Sequence, residues 1–227
     1  MRHPRAFLLL LGLALWAWPG SASAQTSIWL QKGVSGFGAS ASLAYNEDQT
    51  TYGFTGGYSL RGFIDFELSI AVLDFPDEPL PEDLVGVAFT PRVEWHPLKQ
   101  GPGMPISVGI GSGLTFFNFA SDELERNDTE LRALNFSADA TVYRFFKLSS
   151  NFGITPAAGI GYVHSETWLT QFGEEEESVS DDNFGGAGGV YIAFLDRTGR
   201  IWGVAPSMAF TDEVVTVAIR AGIVWTL

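Results

Sequence analysis

Beyond residue 35 the chain returns again and again to one pattern, a bulky apolar side chain followed by a small or polar one. Phe37, Ala39, Ala41, Leu43 and Tyr45 alternate with Gly36, Gly38, Ser40, Ser42 and Ala44, and Ile64, Phe66, Leu68, Ile70 and Val72 alternate with Asp65, Glu67, Ser69 and Ala71. A period of two is that of a β-strand, whose successive side chains point to opposite faces. Similar rows occupy 52–60, 85–96, 106–116 and 134–143, and further segments start near Asn151, Phe184, Arg200 and Val214, which predicts ten strands. The last runs unbroken to the terminus, with Val215, Val217, Ile219, Ala221, Ile223, Trp225 and Leu227 in one row.

Each strand must bury its bulky face, against protein or against lipid. In a soluble sandwich the other face meets water and carries Lys, Glu, Thr and Arg freely. Here it is mostly Gly, Ala, Ser and Thr with an occasional charge. That composition suits a narrow lumen, with the bulky face toward lipid and closure removing every open edge from hydrocarbon. The runs also supply the roughly 9–11 residues that a tilted spanning strand needs. The expected fold is all-β, a closed antiparallel transmembrane barrel of ten strands. Eight is the alternative, if the segment before Asn46 and one later hairpin lie outside it.

The amino terminus supplies a compartment. A basic start, "MRHPR", precedes an apolar run from Ala6 to Trp18, and Ala22-Ser23-Ala24 before Gln25 is a small-x-small cleavage pattern. These features read as a secretory signal over 1–24, followed by a single barrel domain over 25–227. The apolar run falls short of the roughly 20 residues of a spanning helix. Cysteine is absent, which removes disulfides and thiolate metal sites. Charged residues make up 17% of the chain, below the roughly 25% of soluble domains. Losing Arg2 and Arg5 with the signal leaves 11 basic residues against 26 acidic ones, a balance that argues against nucleic acid as a partner.

The carboxyl terminus carries a motif. Arg220, Gly222, Trp225 and Leu227 place a polar residue, a Gly two positions on, and apolar or aromatic residues at the sixth and eighth places. This ending resembles the C-terminal assembly signal of bacterial outer-membrane β-barrel proteins, although that family most often ends in Phe and this chain ends in Leu227. The resemblance implies a Gram-negative outer membrane, its lipid, and the barrel-assembly machinery as partners.

If the C-terminus is periplasmic, as in that class, ten strands place the N-terminus there too. Alternate connections then fall on opposite sides. The inner set is Arg61-Gly62, "PLKQGPGMP", "FKLSS" and "DRTGR", with five basic residues and only Asp196 as an acid. The outer set is "NEDQT", "DFPDEPLPED", "SDELERNDTE", "QFGEEEESVSDDN" and "TDE", with 20 acidic residues and one Arg. Alternation alone defines the strands, so this separation is an independent argument for their number and phase. Trp29, Trp95, Trp202 and Trp225 fall near inner strand ends and Trp168 near an outer end, all with the bulky-face parity. Such a girdle suits an amphipathic ring at the headgroup boundary.

A barrel does not name an activity. "GIGSG" and "GGAGG" lack the Lys-Ser/Thr ending of a phosphate loop, and they read better as room for large lumen side chains such as Tyr143 and Tyr191. No cofactor is indicated. "HSE", 164–166, invites a lipid-hydrolase reading, but His164 and Ser165 are adjacent and point to opposite faces. The acidic loops have no EF-hand spacing; they could gather divalent cations, or simply stay hydrated. Asp65, Glu67, Arg92, Glu94, His96, Asp139 and Arg220 all take the inward parity. In a narrow lumen such charges lock one another as a plug, or line a small cation-preferring path. The expected function is non-enzymatic, a structural or surface-interaction role in the envelope. A narrow channel is the alternative, and a lipid-modifying hydrolase a distant third.

Overall fold

The computed structural model describes residues 30, 32–75, 83–171, 177–211 and 214–227. The expected signal over 1–24 and Trp29 lie outside the described residues. The strands are β1 (Gly36–Tyr45), β2 (Thr50–Leu60), β3 (Ile64–Asp74), β4 (Val85–Leu98), β5 (Ser107–Ala120), β6 (Thr129–Tyr143), a two-residue β7 (Phe146–Lys147), β8 (Phe152–Gln171), β9 (Glu177–Leu195), β10 (Arg200–Thr211) and β11 (Val215–Thr226). A short helix, α1 (Asp122–Arg126), joins β5 to β6.

Ten of these strands form a ring. Neighbours in sequence pair antiparallel, β6 pairs with β8, and β1 pairs with β11 from Gly36↔Thr226 to Tyr45↔Val217, which closes the barrel. Ten strands rather than eight is therefore the architecture; the segment before Asn46 is one side of the closing seam. The β2–β3 hairpin turns on Arg61 and Gly62, both at positive φ (54° and 67°), the turn whose twist matches the flanking strands. At the same end lie the 99–106, 144–151 and 196–199 connections, here called the turn end. The other is the loop end.

The alternation translates into an inside-out distribution. Outward residues such as Phe54, Phe66, Ile70, Val87, Phe89, Phe116 and Ile219 are exposed, while Asp65, Glu67, Arg92, Glu94 and His96 are buried. Exposed rows of large apolar side chains around a buried polar interior are the reverse of a soluble domain.

Three features depart from the sequence expectation. β9 begins at Glu177, not near Phe184, because Val179, Asp181 and Asn183 continue the inward row and pair with a β8 that runs on to Gln171. Most of "QFGEEEESVSDDN" is thus strand, and 177–184 lie beyond the last β9–β10 pair at Gly185↔Thr211. α1 interrupts an expected loop, capped by Ser121, whose hydroxyl accepts from the Leu124 amide at 3.1 Å. The lumen is also not small and polar throughout. At the loop end Leu73, Phe75, Leu84, Phe117, Phe119 and Leu131 form an apolar cluster completed by Leu124 of α1 and Leu169 of β8. The doubled Phe116-Phe117 is the sequence signal for it, since one of two adjacent rings must point inward.

Candidate functional site

Toward the turn end the lumen holds charge instead. Asp65 and Glu67 come from β3, and Arg92, Glu94 and His96 from β4. The β3–β4 register sets Asp65 opposite Glu94 and Glu67 opposite Arg92. Asp139 comes from β6, one strand further round than β5. The Arg92 guanidinium crosses β5 to reach it: Nη2 donates to Oδ1 at 2.9 Å, and Nη1 makes an ion-pair contact with Oδ2 at 2.6 Å. Glu94 Oε2 lies 3.6 Å from Arg92 Nη2. His96 Nε2 lies 3.5 Å from Asp65 and 3.8 Å from Glu94. His96 Nδ1 meets the Tyr143 hydroxyl at 3.0 Å, and Lys99 Nζ donates to that hydroxyl at 3.0 Å.

The path across β5 exists because β5 carries glycine there. A Cβ on Gly111 would fall on the Arg92 guanidinium, and one on Gly109 would fall on Glu94 Oε1 and within 3.1 Å of His96 Nδ1. The "GIGSG" glycines therefore make room for Arg92, Glu94 and His96, not for Tyr143 or Tyr191.

Arg220 stands apart. It projects from β11, on the other side of β1 and β2 from β3, and it enters none of the ion pairs above. Its Nε has no hydrogen-bond partner among the described residues. Glu67, 5% exposed, lies in the fields of both Arg92 and Arg220, yet neither of its oxygens accepts a hydrogen bond from a described residue. The six titratable residues on β3, β4 and β6 are thus brought together, whereas Arg220, with β1 and β2 between, makes no ion pair with them and acts on Glu67 only through its field. Tyr143 and Lys99 belong to the network but carry no charge alternation that would have marked them in sequence.

Trp95, Trp202 and Trp225 stand outward near the turn end, and Trp168 has the outward parity on β8 near the loop end. Gly222 faces inward at the closing seam, where a Cβ would meet Ala39 O at 2.8 Å, and Leu227 is exposed. Asp196, the one acid of the turn-end set, accepts from the Thr198 hydroxyl at 2.6 Å, from the Thr198 and Arg200 amides, and through Oδ2 from Trp202 Nε1. The Thr198 hydroxyl above all holds its pKa down to about 2. His164 is half-buried and bonded through Nδ1 to Asp182 at 2.8 Å, while Ser165 is buried on the opposite face. Among the described residues no group of three or more His, Asp or Glu is arranged to hold a metal ion.

No protein-family model matches the chain, and no curated protein matches it significantly. Among solved structures it is similar to the β domain of the Bordetella autotransporter BrkA, with TM-score 0.50, 13% identity, and 84% of this chain and 98% of that one covered. It is also similar to the translocator domain of the autotransporter NalP from Neisseria meningitidis, with TM-score 0.54, 8% identity, and 95% and 97% covered. The outer membrane protease OmpT from Escherichia coli is similar at TM-score 0.44 and 10% identity, too distant to bear on activity. These neighbours are bacterial outer-membrane barrels, and at such identities the likeness is one of fold.

Proposed function

We propose that this chain is a non-enzymatic protein of a bacterial outer membrane, inserted with its turn end toward the periplasm and its acidic loop end outside. In this reading it has a structural or surface-interaction role. The exposed apolar girth supports the location, because those rows lose contact with water only in lipid. Trp95, Trp202 and Trp225 near one end suit a headgroup boundary, and the ending at Trp225 and Leu227 suits recognition by the barrel-assembly machinery. The acidic loops would lie among anionic headgroups, with divalent cations bridging the two.

One observation carries the functional part. The lumen is filled at two levels, by the apolar cluster around Phe117 and Phe119 and by the charge network around Arg92. Both levels oppose passage of solute. The purified barrel in a planar bilayer should accordingly show near-zero conductance, and steady single-channel currents would overturn the plug. A narrow cation path is the second reading, favoured by Glu67, whose carboxylate has no hydrogen-bond donor among the described residues. A lipid-modifying activity finds little support at "HSE", where the hydroxyl and imidazole lie on opposite faces. A mass shift of membrane lipid on overexpression would reveal it nonetheless.

A further inference from the structure

The turn end of the barrel is hollow. A cavity of about 530 Å³ opens there, between the 99–106 and 144–151 connections and residues Leu30 and Lys32. That size lies within the range of about 300–1,000 Å³ typical of small-molecule sites. Lys32, Lys99 and Lys147 line it, and among its described lining there is no Asp or Glu. In a chain with 26 acidic residues such a one-signed cavity is a local reversal of charge. Low-dielectric walls strengthen the field of such a cleft.

The lining is also organised. Tyr143 fixes the Lys99 ammonium by the 3.0 Å hydrogen bond, and Lys32 rests over the Phe63 ring at 5.6 Å. Ser149 and Asn151 add neutral polar groups at the rim. Burial pulls the Lys99 amine down to about 8 against the opposing pull of Asp65 and Glu94, so at neutral pH it is still charged and poorly hydrated.

We propose that this vestibule binds a small anion bearing phosphate or carboxylate groups, with Lys32, Lys99 and Lys147 as its charge partners. The site rests on the cavity and its lining, and would exist whether the lumen above it is a plug or a path. Charge-assisted hydrogen bonds to several ammoniums are the strong kind, and an anion held there would cap the lumen at the turn end.

Calorimetric titration of the full-length barrel in zwitterionic detergent tests this with three probes: inorganic phosphate, citrate, and short-chain phosphatidylglycerol. Saturable binding of phosphate or citrate assigns a soluble anion; binding of the phospholipid alone assigns a lipid headgroup. In either case Lys32→Gln with Lys99→Gln and Lys147→Gln should weaken it at least about tenfold. The matching Lys→Arg triple variant should retain more of it, and Arg126→Gln at the loop end should leave it unchanged. Should the glutamine triple variant fail to fold, Lys147→Gln alone must still lower affinity. Silence toward all three probes, undiminished binding by folded glutamine variants, or an equal loss in Arg126→Gln overturns the site.

Discussion

The guanidinium of Arg92 occupies the space that a side chain at Gly111 would need. The pairing of Arg92 with Asp139 across β5 therefore depends on a residue that has no charge and no side chain. Gly111→Ala should push Arg92 off its track and strand Asp139 and Glu94. Breaking a buried pair costs about 3–5 kcal/mol, less where lumen water reaches the groups, so the urea midpoint of the barrel should fall by an amount approaching that of Arg92→Ala. Ser112→Ala, one residue along and facing outward, should leave the midpoint nearly unchanged.

Arg92 and Arg220 should differ when each is removed. Arg92→Ala breaks a two-point ion pair, whereas Arg220→Ala removes a cation that makes no ion pair with the network and leaves Arg92 to offset the repulsion of Asp65 and Glu94 at Glu67. The first should lower the unfolding temperature more than the second. The double variant should raise planar-bilayer conductance from near zero, with a preference for cations, because Asp65, Glu67, Glu94 and Asp139 then dominate the lumen. Unchanged currents in a folded double variant would show that the apolar cluster at the loop end closes the barrel by itself.

Lys99 ties stability to pH. In the fold its amine gives up its proton at about 8, below the ordinary 10.5, chiefly because burial disfavours the ammonium. Between those two values the unfolded chain binds more protons than the native one, so this residue's contribution to stability rises with pH across that window and is flat below it. The wild-type stability minus that of Lys99→Met, followed by unfolding midpoints from pH 7 to 11, should climb from about pH 8. A flat difference would count against a depressed amine.

The closing strand offers a test of assembly. Trp225 and Leu227 continue its outward row, and β11 makes the final seam with β1. Replacing both with Asp puts charge on the apolar face and removes the ending that resembles an assembly signal. Heat-modifiable, membrane-inserted barrel should be lost from cells expressing the double variant. The isolated chain, refolded in detergent, should keep its strand content, which separates failed recognition from failed folding.

The barrel was legible residue by residue. Alternation locates β1 at 36–45 and the 64–72 run of β3, and parity sends Asp65, Glu67, Arg92, Glu94, His96 and Asp139 inward, because side-chain direction in a strand is a local property of the pleat. The failures came where alternation carries no polarity contrast. Apart from Val179 the Ser178–Asn183 stretch is polar on both faces, so a strand and a hydrated loop look alike there. Phe117 and Leu131 are apolar residues on the inner row, and the pattern reads an apolar inner residue as noise.

Local pattern thus settled what points where, and the number of strands that must close. It could not settle who meets whom inside. Arg92 reaches Asp139 rather than Glu67 because the register between β4, β5 and β6 lays Gly111 under its path, and register is a relation between strands. Arg220 shares the inward parity of the others yet forms no ion pair with them, since it projects from β11, with β1 and β2 between it and β3. The cavity among Lys32, Lys99 and Lys147 is of the same kind. Residues 115 positions apart line one space because the barrel brings its turns to one end, and no stretch of sequence contains that fact.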